Sequence, residues 1–225
     1  GRPITGPFLP QSWAYDPSVK PVPFNPGQAK TLLAEAGWRD TDHDGWVEKE
    51  GEEFTFTILV NQGHDVRIKT AELIQKYLKD IGVRAKIKVL EWSALLTEFI
   101  DKKRFEAVLL GWSLSKDPDI YDIWHSSKTK EGEFNFIGFK NAQVDTALEE
   151  GRRIFDIKKR AEYYHRIHRI IAEEQPVMFL FAPDSLDIIS SRIQGIEPAP
   201  AGLSHNFTKW WVPKNKQKYR SFIRD

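Results

Sequence analysis

The chain has 225 residues, with 33 Lys+Arg against 32 Asp+Glu, eight Trp, one Met and no cysteine. That length fits one large domain or two small ones, and a 40% hydrophobic share is enough for a packed core. The missing cysteine excludes disulfide scaffolds, Cys-ligated metal sites and a cysteine nucleophile. A net charge of +1 argues against a nucleic-acid binder, and no apolar run reaches the ~18 residues a membrane span needs.

Seven of the 13 prolines fall in the first 26 residues, beside Trp13, Tyr15 and Phe24. Proline blocks both helix and ladder pairing, so this stretch reads as an extended segment lying on some surface. Asn25-Pro26 then starts a helix, with Asn as N-cap and Pro at the first helical position. Ala29, Leu32, Leu33 and Ala36 share one face, and Gly37 ends it. A polar turn, Asp40 to Gly45, leads into a strand over Phe54–Val60. Asp65–Ile81 is predicted helical, with Ala71, Ile74, Leu78 and Ile81 on one face. Val83, Ala85, Ile87 and Val89 alternate with Arg84, Lys86 and Lys88, which predicts a strand with one wet face. Ser93 is the expected cap of a helix to Lys102, and Phe105–Trp112 is an apolar strand. This order of strands and helices implies right-handed crossovers and parallel pairing.

Lys116–Glu133 reads as a loop with a short helix over Ile120–Trp124, followed by helices over Asn141–Arg153 and Asp156–Glu174. Strands are expected at Val177–Phe181 and, more weakly, at Leu186–Ser190; Gly195–His205, which holds Pro198, Pro200 and Gly202, is mostly loop. The tail from Lys209 carries six basic residues and one acid, with Trp210, Trp211, Tyr219 and Phe222. It reads as a segment packed on a surface with its lysines in water, in preference to a nucleic-acid arm.

Several motifs bear on chemistry. Asp40, Asp42, Asp44 and Gly45 match the first half of a calcium loop, but Gly51 stands where a bidentate Glu belongs. An Asx-rich turn is the plainer reading, and a calcium-stabilised interaction module is the metal one. Asp117, Asp119, Asp122 and His125 form a second acidic cluster, the basis of an alternative reading as a metal-dependent hydrolase. A capped loop explains it more simply, because no second His anchors a metal. His165 and His168 sit at i, i+3 with no third ligand nearby, so they are expected on a solvated helix face. No G-x-S-x-G, G-x-G-x-x-G or P-loop pattern is present. Gly111-Trp112 lies where an apolar strand gives way to a polar loop, the place where α/β sheets bind ligands. Trp112 with Ser113 and Ser115 offers a stacking face and hydroxyls, and Asn61, Gln62 and Gly63 end an earlier strand in the same way. A core Trp at a strand end is the competing reading.

Phe24-Asn25-Pro26 through Gly37-Trp38, Asp42-His43-Asp44-Gly45, Ala71 to Leu78 and Ile81-Gly82-Val83 resemble extracellular solute-binding proteins of family 5, the peptide- and nickel-type binding components of ABC importers. The resemblance continues in order through Glu91-Trp92, Phe105-Glu106-Ala107, Gly111-Trp112, Asp117-Pro118-Asp119, Val144-Asp145, Arg160 with Tyr164, Pro176 to Phe181, and Trp210. It implies a periplasmic-binding-protein-like α/β lobe, a mixed sheet flanked by helices, corresponding to domain III of the dipeptide-binding type. Residues 24–182 would form that lobe, 1–23 would cross from a first lobe outside this sequence, and 183–225 would return to it. The resemblance also implies an extracytoplasmic location, a membrane permease as partner, no cofactor and no catalysis. The expected ligand contacts are Asn61, Gln62, Gly63, Trp112, Ser113 and Ser115, with Trp13 from the crossing segment. Peptide binders of the family often carry an acid between Gly-Trp and Asp-Pro-Asp to pair with the peptide amine. Here that linker is Ser113-Leu114-Ser115-Lys116, which suits a neutral ligand such as an oligosaccharide, or a peptide held through its backbone.

Overall fold

A computed structural model describes residues 1–115, 117–184, 186–199 and 202–218. Lys116, Pro200, Tyr219 and Phe222, which figure in the sequence reading, lie outside the described residues. The chain divides into two compact units, Gly1–Arg2 with Phe181–Asp225, and Pro3–Leu180.

After the two-residue strand β1 (Arg2–Pro3), the larger unit opens with an irregular segment whose packing surface is within the same unit. Phe8 and Ala14 are buried in a cluster with Tyr164, Ile167 and Ile171. Helix α1 (Pro26–Glu35) starts as expected, with Asn25 Oδ1 accepting from the Gln28 N–H at 3.0 Å. Its apolar face differs from expectation: no residue of α1 is buried, and Leu32 is exposed. A hairpin follows, β2 (Glu48–Lys49) against β3 (Glu52–Glu53).

The site rests on a three-stranded sheet. Strand β4 (Thr55–Asn61) runs down its centre, and α2 (Asp65–Lys79) crosses over to β5 (Arg84–Leu90), which pairs parallel with β4 from Thr55↔Arg84 to Asn61↔Leu90. Ile58 and Val60 face α2 with Ala71, while Leu59 faces the opposite layer with Leu95 and Ile100. This period-two alternation buries both faces of β4, as parallel sheets require. The next helix, α3 (Trp92–Ala94), is capped by Glu91 rather than Ser93, since Glu91 Oε2 accepts from the Ala94 N–H at 3.0 Å. It widens into a π turn over Leu95–Ile100. The apolar run 105–112 supplies only a short strand, β6 (Ala107–Val108), parallel to β4 on its other edge. One further ladder bond, from the Leu109 N–H to the Leu59 carbonyl, closes the pairing.

The second layer of the unit is helical. After α4 (Tyr121–Trp124), α5 (Ala142–Gly151) and α6 (Ile157–Glu174) are capped by Asn141 and Asp156 and pack on each other through Val144, Leu148, Tyr164, Ile167 and Ile171. His168 overturns the expectation of a solvated helix face: it is 0% exposed. The residue fits among apolar neighbours because both ring nitrogens are partnered. Nδ1 accepts from the Asp16 N–H at 3.0 Å, and Nε2 lies 3.0 Å from Thr5 Oγ1. The Asp16 N–H leaves Nδ1 without a proton, so the ring is the neutral Nε2–H tautomer. His165 bonds the Trp13 carbonyl at 3.1 Å.

In the smaller unit, the apolar stretch after Pro176 yields only β7 (Phe181–Ala182), and no strand forms over 186–190 among the described residues. Two 3₁₀ turns, Leu203–Lys209 and Lys214–Lys216, shape the tail. Trp211 exchanges backbone hydrogen bonds with Gln194, and Trp210 Nε1 donates to Asn206 Oδ1 at 2.8 Å.

Candidate functional site

The carboxyl ends of β4 and β6 lie side by side, and Arg67 lies between Asn61 of one and Gly111 beyond the other. Asn61 is buried, and its Oδ1 accepts from Arg67 Nη1 at 2.7 Å. Arg67 stands in the first turn of α2, three residues after the His64 cap, so its side chain reaches back over the strand end. On the other side the guanidinium meets Gly111: a Cβ there would lie 3.3 Å from Arg67 Nη2. One side chain thus bonds the end of β4 and lies against the segment that follows β6. Burial pushes the Arg67 guanidinium below its ordinary pKa, and it forms no ion pair among the described residues. Sequence reading missed Arg67, because nothing in the spacing marks one basic residue of α2 from the others.

Trp112 follows directly and is 47% exposed, which rules out a buried core Trp. Phe136 stacks on it at 6.2 Å and 24°, and Phe134 meets it edge-on at 5.5 Å and 78°. Gln62, Gly63 and Ser113 are exposed at the same strand ends, and Gly63 needs its left-handed φ of +79° for the turn into α2. Ser115 differs, since its hydroxyl donates to the Asp117 carbonyl. Trp13 also differs: it packs on α6, 5.1 Å from the Tyr164 ring, with the Arg160 guanidinium 5.2 Å from its centroid. Its connection to the site is indirect. Arg160 holds Asp117 by two 2.8 Å bonds and Tyr164 Oη by one of 2.9 Å, which anchors the loop that follows Trp112. Bonding to Asp117 outweighs burial and raises the Arg160 pKa further, so this cation is permanent.

The hydrolase cluster does not assemble. Asp117 pairs with Arg160, Asp119 with Arg152 at 3.0 Å, Asp122 with Lys128 at 3.0 Å, and His125 with Glu149 at 3.2 Å. Each acid is neutralised by a different partner, and none is left for a shared metal. In the calcium-like turn, Asp40, Asp42 and Glu48 bring ligand atoms within 4.8 Å of one another. Asp44 is not in that group; its Oδ1 accepts from the Trp46 N–H at 2.9 Å. Glu48 takes the third place because the bridge Arg39↔Glu48 folds it back over the turn. Two clefts, of about 420 and 310 Å³, lie by α1, α2 and this turn, lined among others by Trp38, Val47 and Gly82, or by Trp46, Gln75 and Val83. No strand-end residue lines either.

With that geometry in hand, comparison with known proteins places the chain in a class. The profile of bacterial extracellular solute-binding proteins, family 5, matches residues 1–134, and the chain belongs to that family. Oligopeptide-binding protein AppA of Bacillus subtilis is 40% identical over 211 residues, 92% of this chain and 39% of that protein. Di/tripeptide-binding protein 1 of Pseudomonas aeruginosa is 30% identical over 87% of this chain and 35% of its own length. The chain therefore spans less than half the length of these relatives. The structure of B. subtilis AppA in complex with a nonapeptide superposes with a TM-score of 0.78 at 38% identity, covering 95% of this chain and 43% of that one. The periplasmic-binding-protein type of α/β fold expected from the sequence is thus the fold observed.

Proposed function

We propose that the chain is the ligand-capturing lobe of an extracytoplasmic solute-binding protein that delivers oligopeptides to an ABC importer. The observation that carries this is the edge formed by the carboxyl ends of β4 and β6, where half-exposed Trp112 follows Gly111, itself next to the part-buried Arg67 that bonds the buried Asn61. Open α/β sheets bind ligands at this edge. The lobe works by capture and changes no bond, and Asp117, Asp119 and Asp122 are tied up in separate ion pairs. Relatives named for oligopeptide and di/tripeptide binding favour a peptide over a sugar. In the mechanism the resemblance implies, a second lobe closes over the first around the ligand, and the closed form is presented to the permease.

Intrinsic tryptophan fluorescence titrated with short peptides and with oligosaccharides tests this. Peptides are expected to change the emission, and the change should vanish in Trp112→Phe. Saturation belongs at high concentration, because one lobe supplies part of a pocket. A response to sugars with none to peptides would overturn the peptide reading.

A further inference from the structure

The stretch between α4 and α5 has no regular structure, yet it delivers two aromatic rings to Trp112. Asn135 explains how. It is 0% exposed; its Nδ2 donates to the carbonyls of His125 (3.1 Å) and Phe139 (2.9 Å), and its Oδ1 accepts from the Phe139 N–H (3.0 Å). Its own N–H donates to the Lys128 carbonyl at 3.0 Å. With Asn135 locked inward, Phe134 and Phe136 on either side of it both reach the Trp112 ring. Phe136 is partly buried and packs in turn on Phe105 at 6.0 Å. Trp112 and Phe134 stay open, at 47% and 55% exposed. Their rings stand nearly perpendicular at 78°, so they make a corner rather than a flat shelf.

What such a corner takes follows from its neighbours. Phe136 stacks against the Trp112 ring, and the segment after Trp112 leaves one free hydroxyl: Ser113 is exposed, and the Ser115 hydroxyl is committed to Asp117. A sugar needs an open parallel face and a row of hydrogen-bond partners, whereas an aromatic or branched side chain packs well between two perpendicular rings. Arg67, next to Gly111, bonds Asn61 and has further donors, so it favours a carbonyl oxygen of a ligand and repels a cation.

We propose that Trp112 and Phe134 form a subsite for a large apolar or aromatic side chain of a bound peptide, with Phe134 as the specificity-determining residue. This rests on the peptide-capture reading and refines it. The test follows the Trp112 indole N–H by NMR in the 225-residue chain, its signal assigned by its loss in Trp112→Phe. The probes are N-acetylated, C-amidated tetrapeptides of alanine with Phe or Lys at the third position, and maltotetraose. The Phe peptide should bind about five-fold more tightly than the Lys peptide, the scale of one aromatic contact. In Phe134→Ala that ratio should fall toward one, and in Phe134→Leu it should lie between. An unchanged ratio in Phe134→Ala overturns the proposal, as does a Trp112 shift with maltotetraose but not with peptides. Peptides that move other resonances and leave the Trp112 signal in place overturn the subsite while peptide capture stands. Peptides that move no resonance overturn both.

Discussion

Every polar atom of the His168 ring has a partner, and the ring is wedged between Phe8, at 5.9 Å, and Tyr15, at 4.9 Å. Burial lowers its pKa, so the folded state resists a proton that the unfolded chain accepts. Stability is then full above the ordinary histidine value of about 6.5 and falls as pH drops below it. Asp16, which also faces this ring, titrates elsewhere. Burial raises its pKa, but hydrogen bonds from Ser18 and the ion pair with Arg169 prevail and hold it at about 2. Its contribution, of order 2 kcal/mol, is present above about pH 4 and lost as pH falls through about 2. Urea unfolding across pH should therefore show two separate losses. His168→Gln should flatten only the one that sets in below about pH 6.5; an unchanged slope there would assign it to other groups. Gly6 sets the fit of the same ring, since a Cβ would lie 2.2 Å from His168 Cδ2. Gly6→Ala should cost about 1–3 kcal/mol, the usual price of overpacking. Gly27→Ala in α1, where the nearest atom is 3.5 Å away, should be neutral or stabilising, and thermal melts of the two variants make the comparison.

At the scale of elements, α6 and the loop after β6 are joined by one residue. Arg160 grips Asp117 with both terminal nitrogens, and its buried Nε has no acceptor among the described residues. Lysine cannot reproduce the two-pronged grip, so Arg160→Lys should lose about 1–2 kcal/mol. The figure is kept low because the Asp117 side chain is 57% exposed and water screens the pair. A double-mutant cycle with Asp117→Asn in urea unfolding checks it: a coupling near zero would mean that the loop is held by Leu114 and Ile120 instead. These ties also mark what the sequence makes legible. Caps at Asn25, Asn141 and Asp156 are local, because the cap and its N–H lie within a few residues; the alternation of β5 holds as far as Lys88, and Val89, expected on the covered face, is exposed. Trp112 and Asn61 were legible for a different reason, as polar or aromatic residues closing apolar runs. Arg67 on Asn61, Phe134 on Trp112 and Thr5 on His168 join residues by partnership across the fold, with no period to announce them. The length of β6 was hidden likewise, since an apolar run of eight residues supplies only two that pair with β4.

For the whole molecule, burial is unevenly shared. Among the described residues every buried hydrophobic side chain lies between Phe8 and Ile171, inside the unit Pro3–Leu180, while the smaller unit buries Asn206. A polypeptide limited to residues 3–180 is therefore expected to unfold in one cooperative transition and to keep its near-UV circular dichroism. A broad, non-cooperative melt would show that its interior needs the remaining residues. The order β5-β4-β6 has a consequence for how that interior is made. The central strand is the first of the three to leave the ribosome, and its two parallel neighbours follow only after a helix and about 20 to 50 further residues. Until Val108 emerges, the apolar stretch Phe56 to Val60 has at least one open edge, for roughly 2–10 s at ordinary rates of synthesis. During that interval the nascent chain offers a sticky ribbon to its neighbours, and a chaperone that binds extended apolar segments would find its target there.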